Sequence, residues 1–220
     1  MWISGPAKRV SAAGRIGSLR PGFHLSRGMR VGLLGGSFNP AHEGHAHIAE
    51  TALTRLRLDR VIWLVSPQNP LKSAAESASL AARLASARRM ARGPHMIVSN
   101  IESRVGSRYT IDILRILKQR YRGVRFVWVM GGDNLNHLHA WRGWADIMRE
   151  MPVAVVARPG AELRSRSSPA ARRFAFARLS SREAPRLACR ASPAWLYLRA
   201  PFNFASSTVL RQRRPAQPLT

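Results

Sequence analysis

The stretch GLLGGSFNPAHEGH, residues 32–45, decides how the rest of the chain is read. Extended back to Arg30 it opens as the apolar run RVGLLGG, which suits a strand buried on both faces. Gly35 and Gly36 end that strand, and both permit close backbone approach and positive φ angles. Pro40 fixes the loop, and a helix is predicted to begin near His42. In open α/β sheets ligands bind beyond the carboxyl ends of the strands. A helix start there points unpaired N–H groups and a positive dipole end at the ligand. His42 and His45 are one helical turn apart and share a face. Together these features read as a phosphate site. The common phosphate loops GxxxxGKS/T and GxGxxG are absent. A zinc helix would carry histidines at i, i+4 with a further ligand, as in HExxH, and that spacing is absent too. Either histidine alone would read as an ordinary cap or core residue.

Outward from this stretch, apolar runs alternate with helical patterns. Strands are predicted at 30–36, RVIWLVS (60–66), HMIVSN (95–100), VRFVWVMGG (124–132), PVAVVARPG (152–160) and AWLYLRA (194–200). Helices are predicted at AHIAETALTRLRL (46–58), ASLAARLASARRMA (78–91), TIDILRILKQRY (110–121) and NHLHAWRGWADIMRE (136–150). The alternation implies βαβ units and a parallel sheet covered on both faces. Right-handed crossovers then make a single α/β domain, Rossmann-like and doubly wound. Residues 161–192 are rich in Arg, Ser, Ala and Pro and read as an irregular surface excursion with one helix, PAARRFAFARL (169–179). SSTVLRQRR (206–214) reads as the start of a final helix, followed by a tail at 215–220.

A chain of 220 residues suffices for one such domain. Its 36 Lys and Arg against 11 Asp and Glu give a formal charge of +25. Lysine occurs only at Lys8, Lys72 and Lys118, so the charge is almost entirely arginine. That charge attracts polyanions, nucleic acids included. The arginines are scattered, however, and not gathered with aromatics in one stripe, so a solvated arginine-rich surface is the better reading. Residues 1–28 carry Lys8, Arg9, Arg15, Arg20 and Arg27 with no acid. They lack the apolar segment of a secretory signal and resemble a transit peptide in composition. They are expected to be a disordered basic extension, with the folded domain spanning 29–214. No apolar run is long enough to span a membrane. Cys189 is the only cysteine, so no internal disulfide can form, which fits the reducing cytoplasm.

Three further motifs are each ambiguous alone. Ser206, Ser207 and Thr208 of SSTVLR can simply cap a helix, or they can clamp a second phosphate with Arg211 forked onto it. Asp133 of GGDN (131–134) sits at a strand end, where it can cap the next helix or accept from ribose hydroxyls. In HAWRGW (139–144), Trp141 and Trp144 are three apart. One can be core while the other offers a stacking plate in the crevice.

As an ordered set, GGSFNPAHEGH, SPQNPLK (66–72), RYTIDIL (108–114), GGDN with WRGW, VVARPG (155–160) and SSTVLR resemble the bacterial nicotinate-nucleotide adenylyltransferases. The first motif alone would indicate only the wider HxGH nucleotidyltransferase superfamily. The resemblance implies transfer of AMP from ATP to nicotinate mononucleotide, with Mg²⁺, giving deamido-NAD and pyrophosphate. By carry-over, His42 and His45 would stabilise the ATP phosphates and the transition state, with Ser206, Ser207, Thr208 and Arg211 holding the phosphate tail. Gly35, Gly36, Ser37 and Phe38 would line the ATP path, and Asp133 would meet ribose. Lys72, Thr110, Trp141 and Arg158 match positions at the nicotinate nucleotide, with Trp141 stacking on the pyridine ring. The chain ends nine residues after Arg211, whereas the resemblance implies a further C-terminal helix. The alternatives are a related enzyme acting on nicotinamide mononucleotide or pantetheine phosphate, an inactive truncated relic, or a basic nucleic-acid-binding protein. Membrane partners are not expected, and spacing leaves a homo-oligomer and the choice of acid over amide open.

Overall fold

The computed structural model describes residues 22–67, 78–107, 109–158, 162–200 and Ser207. Its elements run β1 (Arg30–Gly36), α1 (Glu43–Arg55), β2 (Arg60–Val65), α2 (Leu80–Met90), β3 (Met96–Ser99), α3 (Ile101–Val105), α4 (Thr110–Arg120), β4 (Arg125–Gly131), α5 (Gly132–His137), α6 (Trp144–Glu150), β5 (Val153–Val156), α7 (Glu162–Arg166), α8 (Pro169–Arg173) and β6 (Trp195–Leu198).

The apolar runs become strands because each must bury both of its faces. Residues alternate between two cores, as the two-residue period of a strand requires. Leu33, Ile62, Leu64, Trp128, Met130, Val153 and Val155 face one core, which α4 and α6 cover with Leu114, Leu117, Ile147 and Met148. Leu34, Val61, Trp63, Val65, Val127, Val129, Ala154 and Val156 face the other, covered by Ile48, Ala49 and Ala52 of α1 and Ala87 of α2. Each fully buried Leu, Ile or Val contributes roughly 1.5–3 kcal/mol.

The six strands are all parallel, in the order β3-β2-β1-β4-β5-β6. The chain winds outward from β1 to β3, then returns to lay β4 on the other side of β1. A crevice therefore opens at the carboxyl ends of β1 and β4, the switch point where doubly wound sheets bind ligands. Gly36 ends one of these strands and Gly131 the other. No helix among the described residues is long and apolar enough to cross a membrane.

Three expectations change. The single helix expected over 136–150 is split: α5 runs into a 3₁₀ turn at Leu138–Ala140, and α6 starts afresh at Trp144. Gly143 makes the break, with φ +66 at the N-cap of α6, a conformation glycine adopts without steric cost. The fold also starts before Met29. Phe23 stacks on Tyr121, the Tyr121 hydroxyl donates to the Phe23 carbonyl at 2.9 Å, and Leu25 is buried, so apolar residues anchor the end of the basic stretch. Finally, the region 161–192 holds α7, α8 and 3₁₀ segments at Ala175–Ala177 and Ser181–Cys189. Its arginines face solvent, while Ala170, Ala171, Phe174, Ala184 and Leu187 are buried. The surface arginines dominate the composition and mask that apolar side.

Candidate active site

The loop after β1 is crowded from below. A Cβ on Gly35 would run into the Trp128 indole, and one on Gly36 would press on the Phe38 ring at 3.2 Å. Phe38 takes a left-handed backbone, φ +47, which costs a non-glycine residue of order 1–3 kcal/mol. Its ring lies 5.2 Å from Trp63 on one side and meets His45 edge-on at 4.9 Å on the other.

His42 and His45 start α1 together. The Nδ1 of His42 accepts from the Gly44 N–H at 3.1 Å, and the His42 N–H donates to the Nδ1 of His45 at 3.3 Å. This is a capping box built from two histidines instead of the usual hydroxyl and carboxylate. It has a chemical consequence. With each Nδ1 accepting, a neutral ring carries its proton on Nε2, which leaves two Nε2–H donors for a ligand. The ring centroids are 3.9 Å apart. Burial, and then the nearby Arg158 charge, lower the pKa of His42 to about 4. Burial, then His42 and Arg158, lower that of His45 to about 2. Both rings are therefore neutral donors at pH 7 in the unliganded chain.

Across the crevice, Arg158 follows β5 and lies 4.0 Å from the Asp133 carboxylate at the start of α5. Gly131 makes room for this pair: a Cβ there would collide with the Asp133 carboxylate and approach the Arg158 stem at 2.9 Å. Ser207 joins the site from far along the chain, its hydroxyl donating to the Pro40 carbonyl at 2.9 Å. Thr110 opens α4, and its neighbours touch those of Trp141: the Arg142 guanidinium lies 4.4 Å over the Tyr109 ring, and Gly143 packs on Ile111. Trp141 is half-buried against the core, and Trp144 meets Phe174 edge-on at 6.0 Å.

The cytidylyltransferase-like family profile matches residues 33–213. A probable nicotinate-nucleotide adenylyltransferase from Caulobacter sp. (strain K31) is 66% identical over 84% of this chain and 98% of that relative. The chain belongs to the nicotinate-nucleotide adenylyltransferase family. A second relative of that name, from Cereibacter sphaeroides (strain ATCC 17023), is 55% identical over 83% of this chain and 96% of its own. The fold is shared with the Plasmodium falciparum nicotinic acid mononucleotide adenylyltransferase solved with NaAD, at TM-score 0.62 and 14% identity over 84% and 83% of the two chains.

In this adenylyltransferase chain the structure gathers His42, His45, Phe38, Arg158, Asp133 and Ser207 around one crevice, with Gly35 and Gly36 at the end of β1 and Ser37 just after it. Thr110 and Trp141 lie on segments that meet through Tyr109 with Arg142 and Ile111 with Gly143. Lys72, Ser206, Thr208 and Arg211 lie outside the described residues. Sequence reasoning passed over the residues that hold the loop from behind. The Arg83 side chain comes from α2 and is 2% exposed, with Ser86 buried beside it. Glu102 of α3 is 6% exposed, and burial raises its pKa to about 7 against the counteracting pull of Arg83. A detectable signal existed: Arg83, Ser86 and Ala87 share the i, i+3, i+4 face of α2.

Proposed function

We propose that this enzyme transfers AMP from ATP to nicotinate mononucleotide, giving deamido-NAD (nicotinate adenine dinucleotide) and pyrophosphate in the cytoplasmic synthesis of NAD. A 5′-phosphate oxygen of the mononucleotide attacks the α-phosphorus of ATP. The bond from that phosphorus to the β-phosphate bridging oxygen breaks, and its electrons leave with pyrophosphate. The nucleophile is already an anion, so no strong general base is needed. Catalysis is then mostly positioning and neutralisation of phosphate charge.

The observation that carries this reading is the histidine capping box. It aims two Nε2–H donors from a helix start in a switch-point crevice that also holds Arg158. A phosphate anion at the rings would raise their pKa and draw protons onto them as charge builds on the leaving group. Ser207, tied to Pro40, supports a phosphate role for the Ser206–Thr208 motif with Arg211. Asp133 accepts from ribose, while Lys72, Thr110, Trp141 and Arg158 receive the nicotinate nucleotide. Among the described residues no three His, Cys, Asp or Glu gather to hold a metal ion. Mg²⁺ accompanying ATP would supply further neutralisation of phosphate charge.

Purified protein with ATP, Mg²⁺ and nicotinate mononucleotide is expected to release pyrophosphate. The same assay with nicotinamide mononucleotide and with pantetheine phosphate separates the related activities. Turnover no higher than that of a His45→Ala control would refute the reading.

A further inference from the structure

The loop between β1 and α1 leads into the two histidines, and its conformation is held from outside its own sequence as well. That hold lies behind it, in α2. The buried Arg83 guanidinium donates from Nη1 to the carbonyls of Ser37 at 2.9 Å and Ser66 at 2.6 Å. Its Nη2 donates to the Pro67 carbonyl, and its Nε to the Ala78 carbonyl at 3.0 Å. One side chain thus fastens the loop after β1, the loop after β2 and the approach to α2. One turn further on, the Ser86 hydroxyl accepts from the Ala41 N–H at 3.1 Å. The Ser66 N–H closes the knot by donating to the Gly36 carbonyl at 3.1 Å.

This clasp bears on the chemistry through Phe38. A left-handed non-glycine residue persists only where its surroundings over-determine it. Phe38 is held at its amino side by Arg83 through the Ser37 carbonyl, and Ala41, just beyond the proline, is held by Ser86. In a trans peptide the carbonyl and N–H point in opposite directions. Directing the Ser37 carbonyl at Arg83 therefore turns the Phe38 N–H away from it, and that N–H has no hydrogen-bond partner among the described residues. The Phe38 ring in turn lies edge-on against His45, backed by Trp63.

We propose that Arg83 is a positioning residue of this active site: from behind the β1–α1 loop it fixes Phe38, and through Phe38 the ring of His45. The inference rests on the reading above that His45 meets the phosphates. Lysine cannot replace it, because a single ammonium does not reproduce the planar fork that reaches three segments at once.

The test is Arg83→Lys in the full chain, with Arg178→Ala as a control on an exposed arginine outside the crevice. Two readouts are needed: steady-state pyrophosphate release, and ¹⁵N spectra of the histidine ring nitrogens without substrate. A variant with native far-ultraviolet circular dichroism is expected to lose roughly 10- to 100-fold in kcat, with KM for ATP within about threefold. Its His45 ring is expected to leave the single Nε2–H form for a mixture of tautomers. A kcat within about twofold of the parent together with an unchanged histidine spectrum overturns the proposal. If Arg83→Lys does not fold, Ser86→Ala is read by the same two criteria, with a several-fold loss of kcat expected. If the parent chain shows no turnover, the proposed reaction has failed. The histidine spectra then decide Arg83 alone, and identical spectra in parent and variant overturn it.

Discussion

Two places in this molecule are built around arginine and differ in construction. One is the clasp at Arg83. The other is an open cavity of about 430 Å³ beyond the outer strand β6, lined by Arg166, Arg178, Arg199, Glu162 and Tyr197 among others. At the cavity Arg199 and Arg166 share the Glu162 carboxylate at 2.9 and 3.8 Å, and Arg178 lies 5.3 Å over the buried Trp195 ring. All three of these arginines are exposed, whereas Arg83 is 2% exposed and donates to four carbonyls. In a chain of charge +25, arginines meeting at a surface are expected. A buried guanidinium is not, because desolvating it is costly unless its donors are met. The difference shows that burial and satisfied geometry, rather than positive charge, mark the arginine on which the site depends.

Removing a donor from the helix start that follows the clasped loop is expected to have the largest effect. His45→Ala is expected to lower kcat by roughly 10²-fold or more, as loss of a charge-stabilising donor does, read from pyrophosphate release at saturating substrates. A smaller loss would move His45 out of the reacting core.

The next effect is on stability. Arg83→Met leaves four carbonyls without their donor, and urea unfolding should show a loss of about 3 kcal/mol or more. A loss as small as at an exposed arginine would erase the contrast between the two places.

The third effect depends on pH. His42 is held at about 4 in the fold against 6.5 unfolded, so the unfolded chain takes up protons first. The stability His42 lends is complete above about 6.5 and is lost as pH falls toward 4, on the order of 3 kcal/mol. His45 acts in the same direction. Glu102 acts in the opposite one: its stabilisation is complete below about 4.5 and is lost as pH rises through 7. The two windows overlap between about 4.5 and 6.5, so denaturant midpoints should fall most steeply below about 4.5, and Glu102→Gln should steepen the fall from 6.5 to 4.5 and remove the decline between 6.5 and 7.

The smallest effect belongs to the β6 cavity. Arg178→Ala is expected to change stability by about 0.5 kcal/mol, the low end for a solvent-exposed guanidinium over an aromatic ring, and to leave kcat unaltered. A comparable loss of activity at Arg178 and Arg83 would show that charge, not burial, is what matters.

Much of the site was legible because its signals are local. GLLGGSFNPAHEGH carries an apolar run, two glycines, a proline and histidines at helical spacing, each of which constrains only its neighbours. The alternation of apolar runs with helical patterns likewise implied the parallel sheet, since strands buried on both faces cannot be polar. The helix over 136–150 was misread because Gly143 is tolerable in a helix by composition, whereas in the fold it takes the left-handed backbone that breaks one, close against Ile111. Arg83 was illegible for a related reason. ASLAARLASARRMA contains Arg83, Arg88 and Arg89; the i, i+3, i+4 spacing puts Arg83 on one face with Ser86 and Ala87, but nothing local records the carbonyls of other segments that satisfy it there.

By itself the sequence determined the parallel α/β architecture and the family of the chain, and it placed the candidate site at the end of the first strand. These follow from periodicity and from motifs whose parts lie within a turn or two of one another. Only the tertiary structure decided that the two histidines cap one another and present Nε2–H donors. It alone brought Ser207 onto Pro40 across 167 positions and chose Arg83 from its neighbours to hold the loop. Hydrogen-bond partners far apart in the chain are set by how helices pack on the sheet, and no spacing along the sequence records that packing.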